Sequence, residues 1–247
     1  MSGEQAITRP ARASWFSVLR TEARILLFRA EEAELVGLGH GHLALGLLCT
    51  WLVGMGRYWD HPRASLLQHL GVGSVVYVFV FSAFFYGMLR PLRPERWSYG
   101  HLLTFVSLTA PPAVLYAIPV ERFFALDMAR GINAWFLACV ASWRVALLFS
   151  YLRLYAKLSG GVRLVSLLLP LALIVAALAL LNLDRAVFDV MTGVPEDGGT
   201  AGDAAYGVLT LVTVLSVVLS PVLLGLYSGA IVYRRRSLTA NPPVPPS

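Results

Sequence analysis

Six long apolar stretches run through the 247 residues, at about 35–56, 66–89, 101–119, 132–152, 162–182 and 205–233. A bilayer core of about 30 Å takes about 20 apolar residues when crossed as a helix. Each stretch is continuously apolar rather than alternating, which argues against a lipid-facing β-barrel. Hydrophobic residues make up 57% of the chain and charged residues 14%, with a mean hydropathy of +0.67, so little is left over for a soluble domain. The fold class expected is all-α: a polytopic membrane helix bundle of six transmembrane helices, preceded by an amphipathic interfacial helix.

The loops between the stretches differ in charge, and that difference orients the chain. Arg9, Arg12, Arg20, Arg24 and Arg29 precede the first stretch. Arg90, Arg93 and Arg96 fill the second loop, Arg153, Lys157 and Arg163 the fourth, and Arg234, Arg235 and Arg236 the tail. These are fourteen of the twenty basic residues. The other loops hold only Arg57, Arg63, Arg122, Arg130 and Arg185, and the fifth is acidic, with Asp184, Asp189, Glu196, Asp197 and Asp203. Cytoplasmic loops carry the excess of Lys and Arg. Both termini are therefore expected in the cytoplasm. Nineteen of the twenty basic residues are arginine, and Ala, Leu, Val and Gly are heavily used, a composition that suggests a GC-rich bacterial genome and a bacterial inner (plasma) membrane.

Three regions follow. Residues 1–34 are expected to form a cytoplasmic amphipathic helix, 35–233 the six-span transmembrane domain, and 234–247 a basic and then Pro-rich disordered cytoplasmic tail. Within the first, Ser14 to Glu34 reads as one helix capped by Ser14. Phe16, Leu19, Ala23, Leu26, Leu27 and Ala30 share a helical period, and Arg20, Arg24, Glu31 and Glu34 fall elsewhere, as in a helix lying in the interface. No cleavage pattern of a secretory signal follows the first apolar stretch. Cys49 and Cys139 lie inside apolar stretches and read as small hydrophobes rather than as a disulfide pair. The net charge of +6 fits the positive-inside bias and attraction to anionic lipid, not nucleic-acid binding, because no soluble segment interleaves basic and aromatic residues. Membrane lipids, a protein partner or a second copy of the chain are the expected partners; no nucleic acid and no cofactor are.

One arginine escapes the topology. Arg144 stands in the middle of the fourth stretch, in Ser142-Trp143-Arg144-Val145. A charge at that depth costs several kcal/mol, so it must face protein or water. No stretch carries a mid-span Asp or Glu to pair with it. Pro111-Pro112 breaks the third stretch and frees carbonyls about four residues earlier, near Ser107 and Leu108. The hydroxyls of Thr104, Ser107 and Thr109 lie at a similar level. Arg144, Thr104, Ser107 and Thr109 are thus the candidate ligand, lipid or anion site, as a polar pocket reached from the cytoplasm. The plainer alternative is an arginine that clamps a kinked helix. Pro170 and Pro221 interrupt two further stretches, and broken helices at one depth are where transporters place polar sites.

Histidines supply the candidate metal ligands: His40 and His42 at the start of the first stretch and His101 at the start of the third, with Glu34 or Glu95 nearby. Residues i and i+2 lie on different helix faces, so His40 and His42 act together only if Gly37, Gly39 and Gly41 unwind the helix; solvated interfacial histidines are the simpler reading. On the other side, Trp59-Asp60-His61-Pro62 and Pro119-Val120-Glu121-Arg122 read as interface anchors with short salt bridges. Asp197-Gly198-Gly199 lacks the spacing of a calcium loop. No HExxH, nucleophile elbow or P-loop is present.

Residues 97–154 carry Ser98-Tyr99-Gly100-His101-Leu102-Leu103, then Pro111-Pro112, Leu115-Tyr116-Ala117-Ile118-Pro119, and Asn133-Ala134-Trp135 before a long apolar run. This pattern resembles bacterial members of the Yip-type (Ypt-interacting) membrane family. The resemblance implies a small multi-span protein with a cytoplasmic N-terminus, linked to membrane organisation or trafficking rather than to catalysis. The expected function is a non-enzymatic membrane-organising, scaffold or assembly role. The alternative is a transporter or lipid/anion-binding protein built around Arg144. A topology reporter fused after Gly199 should read as external; a cytoplasmic signal there would overturn the six-span arrangement.

Overall fold

The computed structural model describes residues 15–60, 64–181, 183 and 203–240. The expected acidic loop around Asp184 to Asp197, the cap at Ser14 and the Pro-rich end all lie outside these residues. The described residues form helices and short 3-10 segments, with no strand among them. In order they are α1 (Trp15–Leu26), α2 (Glu32–Val36), α3 (His40–Gly56), α4 (Leu66–His69), α5 (Val72–Leu89), α6 (Tyr99–Leu108), α7 (Leu126–Leu154), α8 (Gly160–Leu180) and α9 (Asp203–Ala240). 3-10 segments cover Arg90–Leu92, Pro111–Ala117 and Val120–Arg122.

Among the described residues, four segments are long and apolar enough to cross a membrane: Val72–Leu92, Met128–Leu154, Gly160–Leu180 and Gly207–Arg236. Tyr99–Leu108 and Pro111–Arg122, bent by 46° at their junction, make a fifth if the pair is one span. α3 has 17 residues, about 25 Å of helix. The second apolar stretch does not run as one helix from residue 66. Gly71 takes φ +65°, a left-handed conformation open to glycine, and divides α4 from α5. A side chain there would also meet Trp51 O and Met55 N at 2.7 Å. α9 continues through Arg234–Arg236 to Ala240, so helix extends into the region expected to be tail.

The N-terminal segment is two helices rather than one. α1 stops at Leu26, Phe28 takes φ +58°, and α2 starts at Glu32. Arg24 holds the turn: it pairs with Glu31 at 2.9 Å and Glu34 at 2.8 Å and donates to the Arg29 carbonyl at 2.8 Å. The Phe28 ring lies 5.6 Å from that of Trp143, whose indole N–H donates to the Leu26 carbonyl at 3.1 Å. Val18, Glu22 and Ile25 are the buried face of α1, while Trp15, Phe16 and Leu19 are exposed. Burial of Glu22 beside the Cys49 thiol pushes its carboxyl above the usual carboxylate range.

Two ends of the bundle are tied by polar contacts from different loops. At one end Glu32 of α2 accepts from both Arg96, at 2.7 Å, and Lys157. At the other, Arg122 reaches Asp60 at 3.9 Å and lies over the Trp59 ring, and Trp59 donates to the Ala117 carbonyl at 2.9 Å. The densest apolar packing is near the first end, where Phe85, Leu89, Leu92, Leu102, Tyr151 and Leu152 are fully enclosed.

α3 and α6 approach to backbone contact at Gly46. A Cβ on Gly46 would fall 2.8 Å from Leu108 N and 2.9 Å from the Ser107 carbonyl carbon. Gly46→Val therefore cannot be absorbed by a rotamer change, and should cost about 1–3 kcal/mol or more. Gly87→Ala, where a Cβ meets nothing within 4 Å, should leave thermal unfolding in detergent unchanged. Equal melting of the two variants would show that the α3–α6 contact does not limit stability.

Lys157 and, after it, Arg96 hold the Glu32 carboxyl below its ordinary value of 4.5. A lowered folded-state pKa stabilises the fold above the unfolded value, and that stabilisation is lost as pH falls through the folded one. Glu32 is partly exposed, at 37% for its side chain, so the effect is small. Glu32→Gln should lower the melting temperature by a few degrees at most at pH 7, and the difference should close as pH falls below about 4.5. A gap that persists at pH 3 would show that Glu32 acts by packing rather than by charge.

Candidate functional site

The break at Pro111-Pro112 organises the site. Proline has no N–H to continue the α6 ladder, so the chain leaves α6 at Thr109 and turns into the 3-10 segment Pro111–Ala117. The Ser107 carbonyl freed by this is taken up within the protein: Ala110 N donates to it at 3.1 Å and the Thr50 hydroxyl lies at 3.4 Å. Thr50 also donates to the Gly46 carbonyl at 2.8 Å. The freed carbonyl thus serves α3 packing, not the arginine.

Of the three expected hydroxyls, one meets Arg144. Thr109 Oγ1 accepts from Arg144 Nε at 3.2 Å and donates to the Val106 carbonyl at 2.7 Å. Thr104 and Ser107 turn back on their own helix, to the carbonyls of Gly100 at 2.8 Å and Thr104 at 2.9 Å. Ser107 is pressed against α3 by the Gly46 contact, and Thr104 makes the usual back-bond to the carbonyl four residues earlier. On its other side the Arg144 guanidinium lies 6.0 Å from the centre of the Tyr77 ring, within cation–π range. Arg144 is half-buried, and no Asp or Glu lies within ion-pair distance of it among the described residues.

Arg144 lines a cavity of about 440 Å³ between α3, α5, α7 and the chain around the proline break. That volume falls in the range of small-molecule sites. Arg57 lines it too, with its guanidinium 5.4 Å from the Tyr116 ring centre and 5.5 Å from that of Tyr58. Gln68, Ser74 and Tyr77 complete the polar part of the wall. Val78, Phe81, Phe105, Leu148 and Leu171 make the apolar part. Leu171 directly follows Pro170, where the sequence predicts a second break; α8 instead runs through Pro170 as one helix, as α9 does through Pro221. Pro221 is not on the wall; Ser220 beside it bonds back to Ser216 O at 2.6 Å. Among the described residues no Asp or Glu lines the cavity.

Sequence reasoning missed Arg57, Tyr77 and Tyr116. Arg57 reads as a loop residue, and only the fold turns it back over Tyr116. The available signal was Tyr77 and Tyr116 themselves: aromatic rings with a polar tip, placed within apolar stretches where a hydroxyl needs a partner.

The histidines have other surroundings. His42 Nδ1 accepts from the Gly39 N–H at 3.2 Å, which caps α3. His101 Nδ1 lies 3.1 Å from the Tyr151 hydroxyl, and its ring stacks on Tyr155 with centres 4.0 Å apart. His40 is exposed. Among the described residues no group of three His, Cys, Asp or Glu is arranged to hold a metal. The two cysteines are free thiols. At the Arg122 end, Asn133 Nδ2 donates to Glu121 at 2.6 Å, and Glu121 is exposed.

No protein-family model, curated protein or solved structure matches the chain.

Proposed function

We propose that this chain is a non-enzymatic integral membrane protein that organises its membrane by holding an anionic lipid in the cavity at Arg144. One observation carries the reading: a guanidinium halfway along a helix long enough to span faces a cavity with a hydroxyl and a ring beside it but no acid among the described residues. Arginine stays protonated whatever its surroundings, and an unneutralised charge in a low-dielectric site is costly. A ligand carrying its own negative charge and an apolar tail answers both halves of the wall. Ion-coupled transport has less support, because the described lining offers no carboxylate for a proton or sodium relay.

The surrounding architecture is read with this function. α3, α5, the bent α6 pair, α7, α8 and α9 are taken as six crossings. The shared partner of Arg96 and Lys157, Glu32, supports the second and fourth loops lying at one end with α2. The positive-inside rule makes that end cytoplasmic, with both termini. The exposed Trp15, Phe16 and Leu19 of α1 support a helix resting in the cytoplasmic interface. Arginine-dominated charge supports a bacterial inner membrane, and the Yip-type resemblance of residues 97–154 agrees with an organising role.

Purification in mild detergent, followed by quantification of retained lipid by mass spectrometry, tests the function. Hydrogen bonds to charged groups contribute about 1.5–3 kcal/mol, so Arg144→Leu should reduce retained anionic lipid by about tenfold or more while the protein stays folded. Arg144→Lys should fall between. Equal retention by the native chain and the leucine variant, or none by either, would overturn the proposal.

A further inference from the structure

On α5 and on the chain around the proline break the wall changes from polar to apolar in the same sense, while α3 also places Thr50 toward the apolar end and α7 places Leu137, Val140 and Ala141 toward the polar one. α5 passes from Ser74 and Tyr77 to Val78 and Phe81. The chain around the proline break runs antiparallel to it, from Phe105 and Val106 to Thr109 and Tyr116. Arg57, the residue that follows α3, lies at the polar end, where α4 contributes Gln68. Arg144 is set halfway, yet its side chain leans toward the N-terminus of its helix, as helical side chains do. It meets Thr109 and Tyr77 on the polar side rather than Phe81 or Leu148. The polar end is the one tied by Asp60, Arg122 and Trp59, opposite the Glu32–Arg96–Lys157 end.

Donors at the polar end come from separate directions: a guanidinium just past α3, another on α7, an amide on α4 and a hydroxyl after the proline break. A planar carboxylate is served by one arginine fork. A phosphate offers three strong acceptor oxygens spread over a tetrahedron, and makes use of donors on several sides.

We infer that the lipid held at Arg144 carries a phosphate headgroup, and that it enters from the Arg57–Gln68 end with its chain directed toward Phe81 and Leu171. The inference rests on the lipid reading above and adds the headgroup and the side. By the positive-inside rule that side is the non-cytoplasmic leaflet, the reverse of the cytoplasm-facing pocket expected from the depth of the proline breaks.

The full chain, with Cys49→Ala and Cys139→Ala, is titrated with short-chain phosphatidic acid, the fatty acid of the same chain length, the matching diacylglycerol and inorganic phosphate. Binding is read by native mass spectrometry. A single cysteine, Gly73→Cys on the wall beside Ser74 or Arg96→Cys, reports by its maleimide reaction rate which end the ligand covers. Phosphatidic acid should bind at least tenfold more tightly than the other three, weaken about tenfold in Arg57→Gln, and slow labelling at 73 several-fold but not at 96. Equal binding of the fatty acid, or protection at 96 instead of 73, would overturn this inference while leaving an Arg144-dependent lipid site standing. Equal binding of inorganic phosphate would replace the lipid with a free anion. Equal binding of diacylglycerol, or no binding of any probe, would overturn both proposals.

Discussion

Breaking a helix inside an apolar slab leaves backbone groups that only protein can satisfy, and the rest of this fold is arranged around one such break. Pro111 and Pro112 end α6, and the Ser107 carbonyl they release finds Ala110 N and the Thr50 hydroxyl. That solution requires α3 to lie against α6 with no side chain between them, which is why Gly46 faces Ser107. With α3 drawn in, a space remains between α3, α5, α7 and the chain around the break, and that space is the cavity that Arg144 lines. The same contact decides which hydroxyls remain for the arginine. Ser107 is pressed into the α3 interface, whereas Thr109, two residues on, faces the other way and accepts from Arg144.

Charge is managed differently in the three zones of the molecule. Near α2, basic residues from separate loops converge on a carboxylate, and Arg24 closes the α1–α2 turn with two more. At the opposite end the pairing is looser and shares its work with rings, Arg122 lying over Trp59 and Arg57 over Tyr116. Between them Arg144 has neutral partners. A cation with a hydroxyl and a π-face, instead of a carboxylate, keeps its capacity to attract an anion.

Much of the class of this protein was legible in its residues. Continuous apolar runs imply membrane-crossing helices, and the absence of a mid-span acid isolates Arg144. Thr109 was legible as one of three hydroxyls at the right level, but not its distinction from Thr104 and Ser107. That distinction depends on which face of α6 meets α3, a fact of packing. The N-terminal segment shows the same limit. Its periodicity continues through Ala30, yet Arg24 reaching Glu31 and Glu34 turns the chain at Phe28, because long-range side-chain pairing outweighs local helix propensity in so short a segment.

By itself the sequence determined that the chain is helical and apolar enough for a membrane, because an unbroken run of such residues has no other way to satisfy its backbone there. It also determined that one arginine would stand apart, since a missing counter-charge can be read from composition. Only the tertiary structure decided that Arg57, Tyr77 and Tyr116 join that arginine, and toward which end of the bundle the polar wall lies. The physical reason is that these residues are separated by tens of positions in the chain. They share a cavity only once Gly46, Gly54 and Gly71 let their helices close to backbone contact.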